Sequence, residues 1–489
     1  MATDNHTPVT AGSVAETHGE LKRSLGPLQL IAIGIGAIIG TGIFVITGTA
    51  AATYAGPAVL ISFIIAGIGC VFAGLCYAEL AAMIPVSGSA YTYAYAAFGR
   101  FAAWVIGWDL VLEYGVSAST VAVGWSGYFT GLMKNLGLPQ LPGELSSAPV
   151  EFKDGAFHLT GAFINLPAVA IVVLLSALLV VGIRSSANTN SLMVLFKVAI
   201  VILVILFGLP LIHPENLDPF IPENTGKFGE FGWSGILRAS GVIFFAYIGF
   251  DAVSVAAQES RNPQRDMPIG ILGSLAICTV LYLLMALTMV GLTPYTTLNV
   301  PNPVTVAISA AGPELNWLVM WVNLGAIVGL STVILVSLYG QSRIFYSMAR
   351  DGMLPAMFAK IDPNFGTPVA GTMVTCFGVC LLAAFLPLDI LGELVSIGTL
   401  LAFVLVCIGV IVLRYTNPKV KRPFRTPLSP IVPLLGVAFC GMMMLSLPQE
   451  TIYRLVVWFG IGLVIYAVYG VRHAKKPVWS LEDDAPTES

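Results

Sequence analysis

The stretch that decides the fold lies at residues 33–44 and reads IGIGAIIGTGIF. Four of its residues are glycines that fall within nine positions: Gly34, Gly36, Gly40 and Gly42. Single glycines are tolerated in membrane helices, but this cluster, with Thr41 inside it, favours an unwound segment. Unwound backbone in lipid leaves costly unpaired polar groups, so it persists only where it is buried in protein or binds a ligand. Close helix packing through small residues is an equally weighted alternative for this stretch alone.

A second interrupted stretch begins five predicted spans later, at residues 244–259, which read FFAYIGFDAVSVAAQE with Gly249 at the centre and Asp251 nearby. Two interrupted helices in corresponding positions of two halves are the best sequence indication of a transporter site at the membrane midplane. Half-helix N-termini direct partial positive charge at an anionic group, and freed carbonyls accept hydrogen bonds from an ammonium. A zwitterionic amino acid is the ligand that such a site fits best.

The composition indicates an integral membrane protein. Of 489 residues, 57% are hydrophobic and 10% are charged, whereas a soluble domain carries about 25% charged residues. The net charge of −3 is too small to suggest a nucleic acid as partner. The apolar runs match the length that crosses the hydrocarbon core, and we expect no separate soluble domain.

We predict an all-α fold with twelve membrane spans. Their approximate ranges are 27–51, 57–84, 99–134, 162–182, 188–211, 234–257, 268–292, 313–349, 367–387, 389–414, 429–447 and 451–470. The third and eighth ranges are too long for an upright span, so they should tilt or project past the membrane.

The distribution of basic residues predicts the orientation. Most Lys and Arg residues fall on the side of the N-terminus, and the outer loops hold only Lys134, Lys153 and Lys227, with Arg238 and Arg454 near outer helix ends. Because basic residues collect on the cytoplasmic side, both termini are predicted to lie in the cytoplasm.

Three charged residues lie deep in apolar spans: Glu113, Lys197 and Asp251. Burial of a charge in a membrane is expensive, so each is a candidate functional residue, with an internal ion pair that fixes helix register as the alternative. Lys197 has no acidic residue within a helical turn. Desolvation favours its neutral form, and a lysine that can lose its proton is a natural coupling element. Phe245, at the second interruption, is a candidate to stack on or gate a ligand.

Other chemistry is not indicated. The sequence has no Gly-rich loop that ends in Gly-Lys-Ser/Thr, so no ATP-driven motor is expected. The five histidines fall in tails and outer loops, and the seven cysteines fall in apolar runs without metal-ligand spacing. We therefore expect no enzyme, no cofactor and no metal site.

Four motifs resemble the amino acid–polyamine–organocation superfamily, and most closely its cationic amino acid transporter branch. They are GIGAIIGTGIF (34–44), FFAYIGFDAVSVAAQESRNPQRDMPIGI (244–271), LYGQSRIFYSMARDGMLP (338–355) and RPFRTPLSPIVPLLG (422–436). The resemblance implies the LeuT-type fold, a five-plus-five inverted repeat with broken helices 1 and 6. It divides the chain into a cytoplasmic tail (1–23), a transport core (24–414), helices 11 and 12 (415–472) and a second cytoplasmic tail (473–489).

The resemblance also implies a substrate site. Thr41 and Gly42, within the segment that includes Gly40, would hold the substrate carboxylate. The ammonium would bind the carbonyls of four residues: Ile38, Phe245, Ala246 and Ile248. Glu113 matches an acidic position of the cationic branch and Ser337 a serine typical of vertebrate members; with Asp251 they could receive a cationic side chain.

Proton coupling is implied in the same way. Lys197 matches a lysine that takes the place of a sodium ion in related proton-coupled members. It would donate to carbonyls near Gly34 and Ile35 and to Ser331 or Thr332, with Asp251 as the second candidate proton carrier. Protons and not sodium are therefore the expected coupling ion. A cytoplasmic loop hallmark, structural or gating in role, comprises Glu259, Asn262, Pro263, Arg265 and Pro268.

The resemblance implies secondary active transport of an amino acid in the inner (plasma) membrane. The substrate stays open between a cationic amino acid (arginine, lysine or ornithine) and a small neutral one such as alanine, because this chain has twelve spans where vertebrate cationic transporters have fourteen. An exchanger and a transporter-like nutrient sensor are alternatives, and a channel or membrane enzyme is disfavoured. A small single-span membrane subunit is a further partner that this architecture could accept.

Overall fold

The computed structural model describes residues 25–84, 89–153, 156–181, 187–251, 253 and 260–474. The predicted tail at 1–23 and nearly all of the one at 473–489 lie outside these residues, as does Glu259. The described chain is almost wholly helical, as its apolar runs predict.

Seventeen α-helices, with short 3₁₀ and π turns between them, form the described part of the molecule. They are α1 Pro27–Ile38, α2 Thr47–Ala50, α3 Val59–Met83, α4 Ser89–Phe98, α5 Arg100–Val111, α6 Ser117–Asn135, α7 Leu166–Val181, α8 Ala187–Gly208, α9 Gly232–Ile243, α10 Pro263–Leu292, α11 Pro303–Ala310, α12 Asn316–Arg350, α13 Val369–Phe385, α14 Leu388–Thr416, α15 Ile431–Ser446, α16 Gln449–Ile465 and α17 Val471–His473.

Several of these helices can cross a membrane. Within the described residues, six helical segments are long and apolar enough: Gly42–Met83, Leu192–Leu211, Gln264–Leu292, Pro313–Arg350, Leu388–Thr416 and Gln449–His473. Four shorter apolar helices accompany them: α1, α7, α13 and α15. Helix bounds fall within a few residues of the predicted spans, and the count of twelve stays a prediction.

The long predicted third span is continuous but irregular. A π turn, Leu112–Val116, joins α5 to α6 without ending the helical path. The predicted eighth span is one helix, α12, of 35 residues. Both exceed the length that an upright helix needs to cross the hydrocarbon core.

The loop between α6 and α7 contains strands that the all-α prediction missed. Strands β1 (Val150–Lys153) and β2 (Ala156–Leu159) pair antiparallel as a hairpin. A four-residue strand rich in charge and aromatics produces no apolar run, so hydropathy does not reveal it.

Burial distinguishes central from peripheral helices. The most apolar window of α14 is 67% buried inside the protein, whereas that of Gln449–His473 is 17% buried. The latter helix exposes large apolar residues such as Val456, Val457 and Val464, which suits a helix in contact with lipid.

Helix α8 lies between α1 and α12, and glycines on both neighbours make room for it. A Cβ on Gly36 of α1 would lie 2.7 Å from Val194 Cγ2, and one on Gly325 of α12 would lie 2.6 Å from Ile200 Cγ1. Close approach of three helices at small residues brings the middle of α8 against the interrupted first helix.

Candidate functional site

The first helix is interrupted within the glycine cluster. Helix α1 ends at Ile38, and Ile39 is extended with φ −71° and ψ 105°. Helical structure resumes at Thr41 and runs into the π turn Gly42–Ile46. The first N–H groups of this second half-helix have no partner within the helix, so they are available to an anionic group.

The sixth predicted span is interrupted as well. Helix α9 ends at Ile243, a 3₁₀ turn follows at Phe244–Tyr247, and Ile248 is extended with ψ 139°. Gly249 then takes φ +113°, which only glycine adopts at no steric cost. A Cβ there would also lie 2.7 Å from the carbonyl oxygen of Ala37. Gly249 therefore permits both the turn and its contact with the first interruption.

The two interruptions meet directly. A Cβ on Gly42 would lie 2.2 Å from the Cα of Ala246, so the two backbones touch at a point where a side chain has no space. The Tyr282 hydroxyl lies 2.8 Å from the carbonyl oxygens of both Ile38 and Ala246. A hydroxyl has one proton and donates to one carbonyl at a time. Tyr282 was missed in the sequence, where its hydroxyl in an apolar run was the only signal.

The Thr41 side chain provides a polar group inside this junction. Its hydroxyl is buried and has no hydrogen-bond partner among the described residues. Buried hydroxyls are nearly always paired, so an unpaired one at a helix interruption points to a ligand. The hydroxyl and the adjacent N–H groups could together bind a carboxylate.

The remaining residues predicted to hold the substrate lie in the two interruptions or on α12. Phe245 is nearly buried in the 3₁₀ turn, and its carbonyl accepts a hydrogen bond from the N–H of Ile248 at 3.2 Å. That carbonyl retains a second lone pair for an ammonium. The Gly40 carbonyl accepts from Phe44 N at 3.3 Å, and Ser337 is buried on α12.

Carboxylates approach the second interruption from a neighbouring helix. Glu113 is buried in the π turn that follows α5, an irregularity that is frequent at functional sites. It interacts electrostatically with Asp251 and with Asp109. Asp251 is buried, and its Oδ1 accepts a hydrogen bond from Gly249 N at 3.2 Å. The sequence named Glu113 and Asp251, with Ser337, as groups that could receive a cationic side chain; both carboxyls are buried, and that role stays a prediction.

Lys197 reaches the first interruption from α8. It is 0% exposed, and its Nζ donates to the carbonyl of Gly36 at 2.5 Å. Lys197 was predicted to donate to carbonyls near Gly34 and Ile35; in the structure it donates to the neighbouring Gly36 carbonyl, while the Ile35 carbonyl accepts from Ile39 N. The break starts after Ile38, so the carbonyl of Gly36 is the one directed at α8.

The predicted hydroxyls of α12 bond elsewhere in this structure. Ser331 donates to the Ile327 carbonyl and accepts from Trp125 Nε1 at 3.0 Å, and Thr332 donates to the Gly329 carbonyl. The Lys197 chain nevertheless passes Gly329, where a Cβ would lie 3.4 Å from its Cδ. Lys197 therefore lies between α1 and α12, close to these two residues.

The loop hallmark predicted to be structural or gating makes helix-start contacts in the part that is described. Asn262 precedes α10, and its N–H donates to Asp266 Oδ2 at 3.2 Å. Pro263 begins α10, Pro268 is buried within it and Arg265 is exposed. These residues fix the start of α10 and lie away from the junction of the two interruptions.

Buried charge is more extensive than the three residues singled out in the sequence. Glu79, Asp109 and Glu393 are also buried. None of the three was among the candidates taken from the sequence. An acidic residue inside any apolar span was the signal that could have found all three.

Comparison with known proteins gives the family. A profile described as amino acid permease matches residues 25–471. The chain belongs to the amino acid permease family of the amino acid–polyamine–organocation superfamily. It is an integral membrane protein of the permease type and not an enzyme.

Three relatives illustrate the range of this permease family. The chain is 43% identical to a methylthioribose transporter of Bacillus subtilis, over 96% of this chain and 97% of the relative. It is 45% identical to a branched-chain amino acid permease of the same organism, over 94% and 96%. It is 37% identical to a vacuolar cationic amino acid transporter of Arabidopsis thaliana, over 82% and 64%. Relatives at similar identity carry different substrate names, so family membership leaves the substrate open.

Proposed function

We propose that this permease is a secondary active transporter that takes up an L-amino acid with protons by alternating access. The observation that carries the proposal is the junction of two interrupted helices at Gly42 and Ala246. One half-helix presents N–H groups and the Thr41 hydroxyl, and the helix ends present the carbonyls of Ile38 and Ala246. An amino acid carries a carboxylate and an ammonium on one carbon atom. The carboxylate matches the N–H and hydroxyl donors, and the ammonium matches the carbonyl acceptors.

A cationic side chain is the substrate feature that the acidic groups favour. Glu113 in the π turn after α5 and Asp251 in the second interruption are both buried, and two like charges in a buried place are stabilised by a cation. Attraction at ~4 Å and an effective dielectric near 20 is about 4 kcal/mol before desolvation, which can cancel most of it. Arginine, lysine and ornithine are therefore the first candidates.

A neutral substrate is the second candidate. The relative described as a branched-chain amino acid permease is 45% identical to this chain. A small or branched neutral side chain would leave Glu113 and Asp251 to hold a proton between them. Competition of uptake by alanine or isoleucine but not by arginine would decide for this alternative.

Lys197 is the proposed coupling residue. Its buried ammonium reaches the Gly36 carbonyl from α8 and lies near Ser331 and Thr332 of α12. The positive charge, covalently attached, would tie the first helix to its neighbours as a bound sodium ion could. Deprotonation would remove that tie and let the helices separate, so transport would depend on pH and not on sodium. Asp251 is the second candidate carrier.

The wider architecture belongs to the same proposal. We place a five-plus-five repeat over 24–414 and two further helices over 415–472. The protein would lie in the inner (plasma) membrane with both termini in the cytoplasm. The binding of a small single-span membrane subunit as a partner stays a prediction.

The test is uptake of radiolabelled amino acids into proteoliposomes under an imposed proton gradient without sodium. Wild type should accumulate substrate, and Lys197→Met should lose the dependence on the proton gradient because the ammonium is gone. Ser176→Ala on α7 is a matched control, since it alters a buried polar side chain away from α8.

Three outcomes would contradict parts of the proposal. Sodium-driven uptake would exclude proton coupling. Unaltered proton dependence in Lys197→Met would exclude Lys197 as the coupling residue. Binding without uptake would favour a sensor, and uptake only into substrate-loaded vesicles would favour an exchanger.

A further inference from the structure

The loop between α14 and α15 carries a positive charge that the protein only partly compensates. Residues 414–430 contain five basic residues and no acidic one. Two of the five, Arg414 and Arg422, lie 2.6 Å and 3.5 Å from the buried carboxylate of Glu79. The other three are exposed: Lys419, Lys421 and Arg425. None of these three forms an ion pair with an acidic side chain in the residues that the structure describes.

The guanidinium of Arg422 holds the first part of this loop in one shape. Its Nη2 donates to the Asn417 carbonyl at 3.0 Å, and its Nη1 donates to the Val420 carbonyl at 3.0 Å. The backbone of this stretch therefore wraps around a single side chain that is itself bound inside the protein. Lys419 and Lys421 flank Val420, so their Cα atoms are at most about 7 Å apart. Two exposed ammonium groups are thus displayed side by side on anchored backbone.

Arg425 lies beside a second anchor of the same loop. The N–H of the next residue, Thr426, donates to Glu79 Oε2 at 2.7 Å. Because Arg422 also lies against Glu79, one carboxylate fixes the loop both just after Lys421 and just after Arg425. The third exposed cation is therefore held near the first two, and the ordering of these side chains on binding a ligand costs less than it would on a free loop.

Exposed apolar residues lie at both ends of the loop. Tyr415, in the last turn of α14, is 77% exposed, and Leu428 is 74% exposed. Ile431, the first residue of α15, is 57% exposed, and Leu434 one turn later is 54% exposed. Both helices are apolar enough to lie in a membrane, so these side chains suit contact with lipid. The three cations therefore belong to the depth of the lipid headgroups.

We propose that this loop binds the headgroup phosphate of an anionic phospholipid of the cytoplasmic leaflet. Lys419, Lys421 and Arg425 would bind the phosphate, and Tyr415 and Leu428 would contact the acyl chains. A nucleic acid or an acidic protein would satisfy the cations but not the exposed apolar residues beside them. Each basic residue near an anionic membrane surface strengthens binding by about fivefold. The site goes beyond amino acid transport, and its leaflet follows from the proposed orientation.

The experiment measures binding of phosphatidylglycerol with a fluorescent acyl chain to the full-length protein in a nonionic detergent, by fluorescence anisotropy. Phosphatidylcholine with the same chains is the lipid without net charge. Wild type should bind phosphatidylglycerol at least about tenfold more tightly, and salt should weaken this preference. The combined variant Lys419→Gln, Lys421→Gln and Arg425→Gln should lose the preference. The combined variant Lys419→Arg and Lys421→Arg keeps the charge and should retain it.

The matched control removes the same net charge from exposed positions outside the loop: Lys134→Gln, Lys227→Gln and Lys360→Gln together. It should keep the wild-type preference for phosphatidylglycerol.

Three results would overturn the site: equal binding of the two lipids by wild type, an unchanged preference in the triple loop variant, or an equal loss in the control. Displacement of phosphatidylglycerol by an equimolar amount of glycerol 3-phosphate would overturn the lipid as the ligand, because a free phosphate would then suffice. If the triple loop variant does not fold, Lys421→Gln alone decides, with an expected loss of about fivefold in preference. The measurement requires no transport, so its failure would leave the proposed function standing.

Discussion

Two glycines show how single residues set this junction. Gly42 leaves no room for a side chain because the backbone of Ala246 occupies the place of a Cβ. Gly249 supplies a positive φ of 113° where the second interruption turns. The lack of space at Gly42 and the positive φ at Gly249 are both constraints on the backbone, so no rotamer of a larger side chain could satisfy them. The junction therefore depends on the absence of a side chain at both positions.

We predict that Gly42→Ala reduces substrate affinity at least about hundredfold, or about 2.8 kcal/mol. The added methyl group would lie 2.2 Å from Ala246 Cα and would push the two interruptions apart. Binding of radiolabelled substrate to purified protein measures the change.

The matched control is Gly378→Ala on α13, where a Cβ meets nothing within 4 Å. This variant should bind substrate as wild type does and gain about 0.5–1 kcal/mol of helix stability. Wild-type affinity in Gly42→Ala would remove Gly42 from the binding site.

At the scale of elements, neighbouring helices complete the hydrogen bonding that the interruptions leave open. Tyr282 of α10 approaches a free carbonyl on each interrupted helix, and Lys197 of α8 donates to a third. Tyr128 of α6 likewise donates to the Phe44 carbonyl at 2.5 Å in the second half-helix. Irregular backbone at membrane depth is stable only with such partners. The breaks are thus properties of a helix bundle and not of the two helices alone.

We predict that Tyr282→Phe lowers the free energy of unfolding by about 1–3 kcal/mol, because a buried carbonyl at the junction loses its donor. The same variant should change substrate affinity, since the freed carbonyls of Ile38 and Ala246 are the proposed ammonium ligands. Thermal unfolding in detergent and substrate binding measure the two effects.

Thr279→Val on the same helix is the control, because the Thr279 hydroxyl donates to the Leu275 carbonyl within α10. It should leave substrate affinity unchanged. If Tyr282→Phe matched this control in affinity, Tyr282 would be a structural contact only.

At the scale of the whole molecule, a buried ionic cluster links distant parts of the chain. Glu79, 1% exposed at the end of α3, accepts hydrogen bonds from Arg414 Nε at 3.0 Å and Nη2 at 2.6 Å. It also accepts from Thr426 N at 2.7 Å, and Arg422 lies 3.5 Å away. The cluster fastens α3 to the end of α14 and to the loop before α15. That loop carries one of the four family motifs, and Arg422 within the motif has a structural partner here.

We predict that Glu79→Gln lowers the free energy of unfolding by about 3–5 kcal/mol, since removal of one partner leaves buried guanidinium charge uncompensated. Thermal unfolding of the purified protein provides the measurement. Glu230→Gln, in an exposed pair with Lys227 at 3.5 Å, should cost no more than about 1 kcal/mol. Equal effects of the two variants would show that the Glu79 cluster contributes little.

The sequence alone determined the membrane class, the approximate bounds of most long helices and the two interruptions, but it did not predict α4 or α11. Twenty-residue apolar runs mark spans because the hydrocarbon thickness is fixed, and two glycine clusters in corresponding spans favour interruptions over close helix packing. The residues of the junction followed from those clusters and from family motifs at Gly42, Phe245 and Lys197. The family itself was recognisable from the same motifs.

The tertiary structure decided which groups meet. It selected the Gly36 carbonyl for Lys197 and brought Tyr282 to the junction. Hydropathy could not supply these pairings, because lipid is as apolar as the protein core and a membrane helix has no strong periodicity to separate its inner from its outer face. Which polar group finds which partner depends on helix rotation and depth, and those are fixed only when the helices pack.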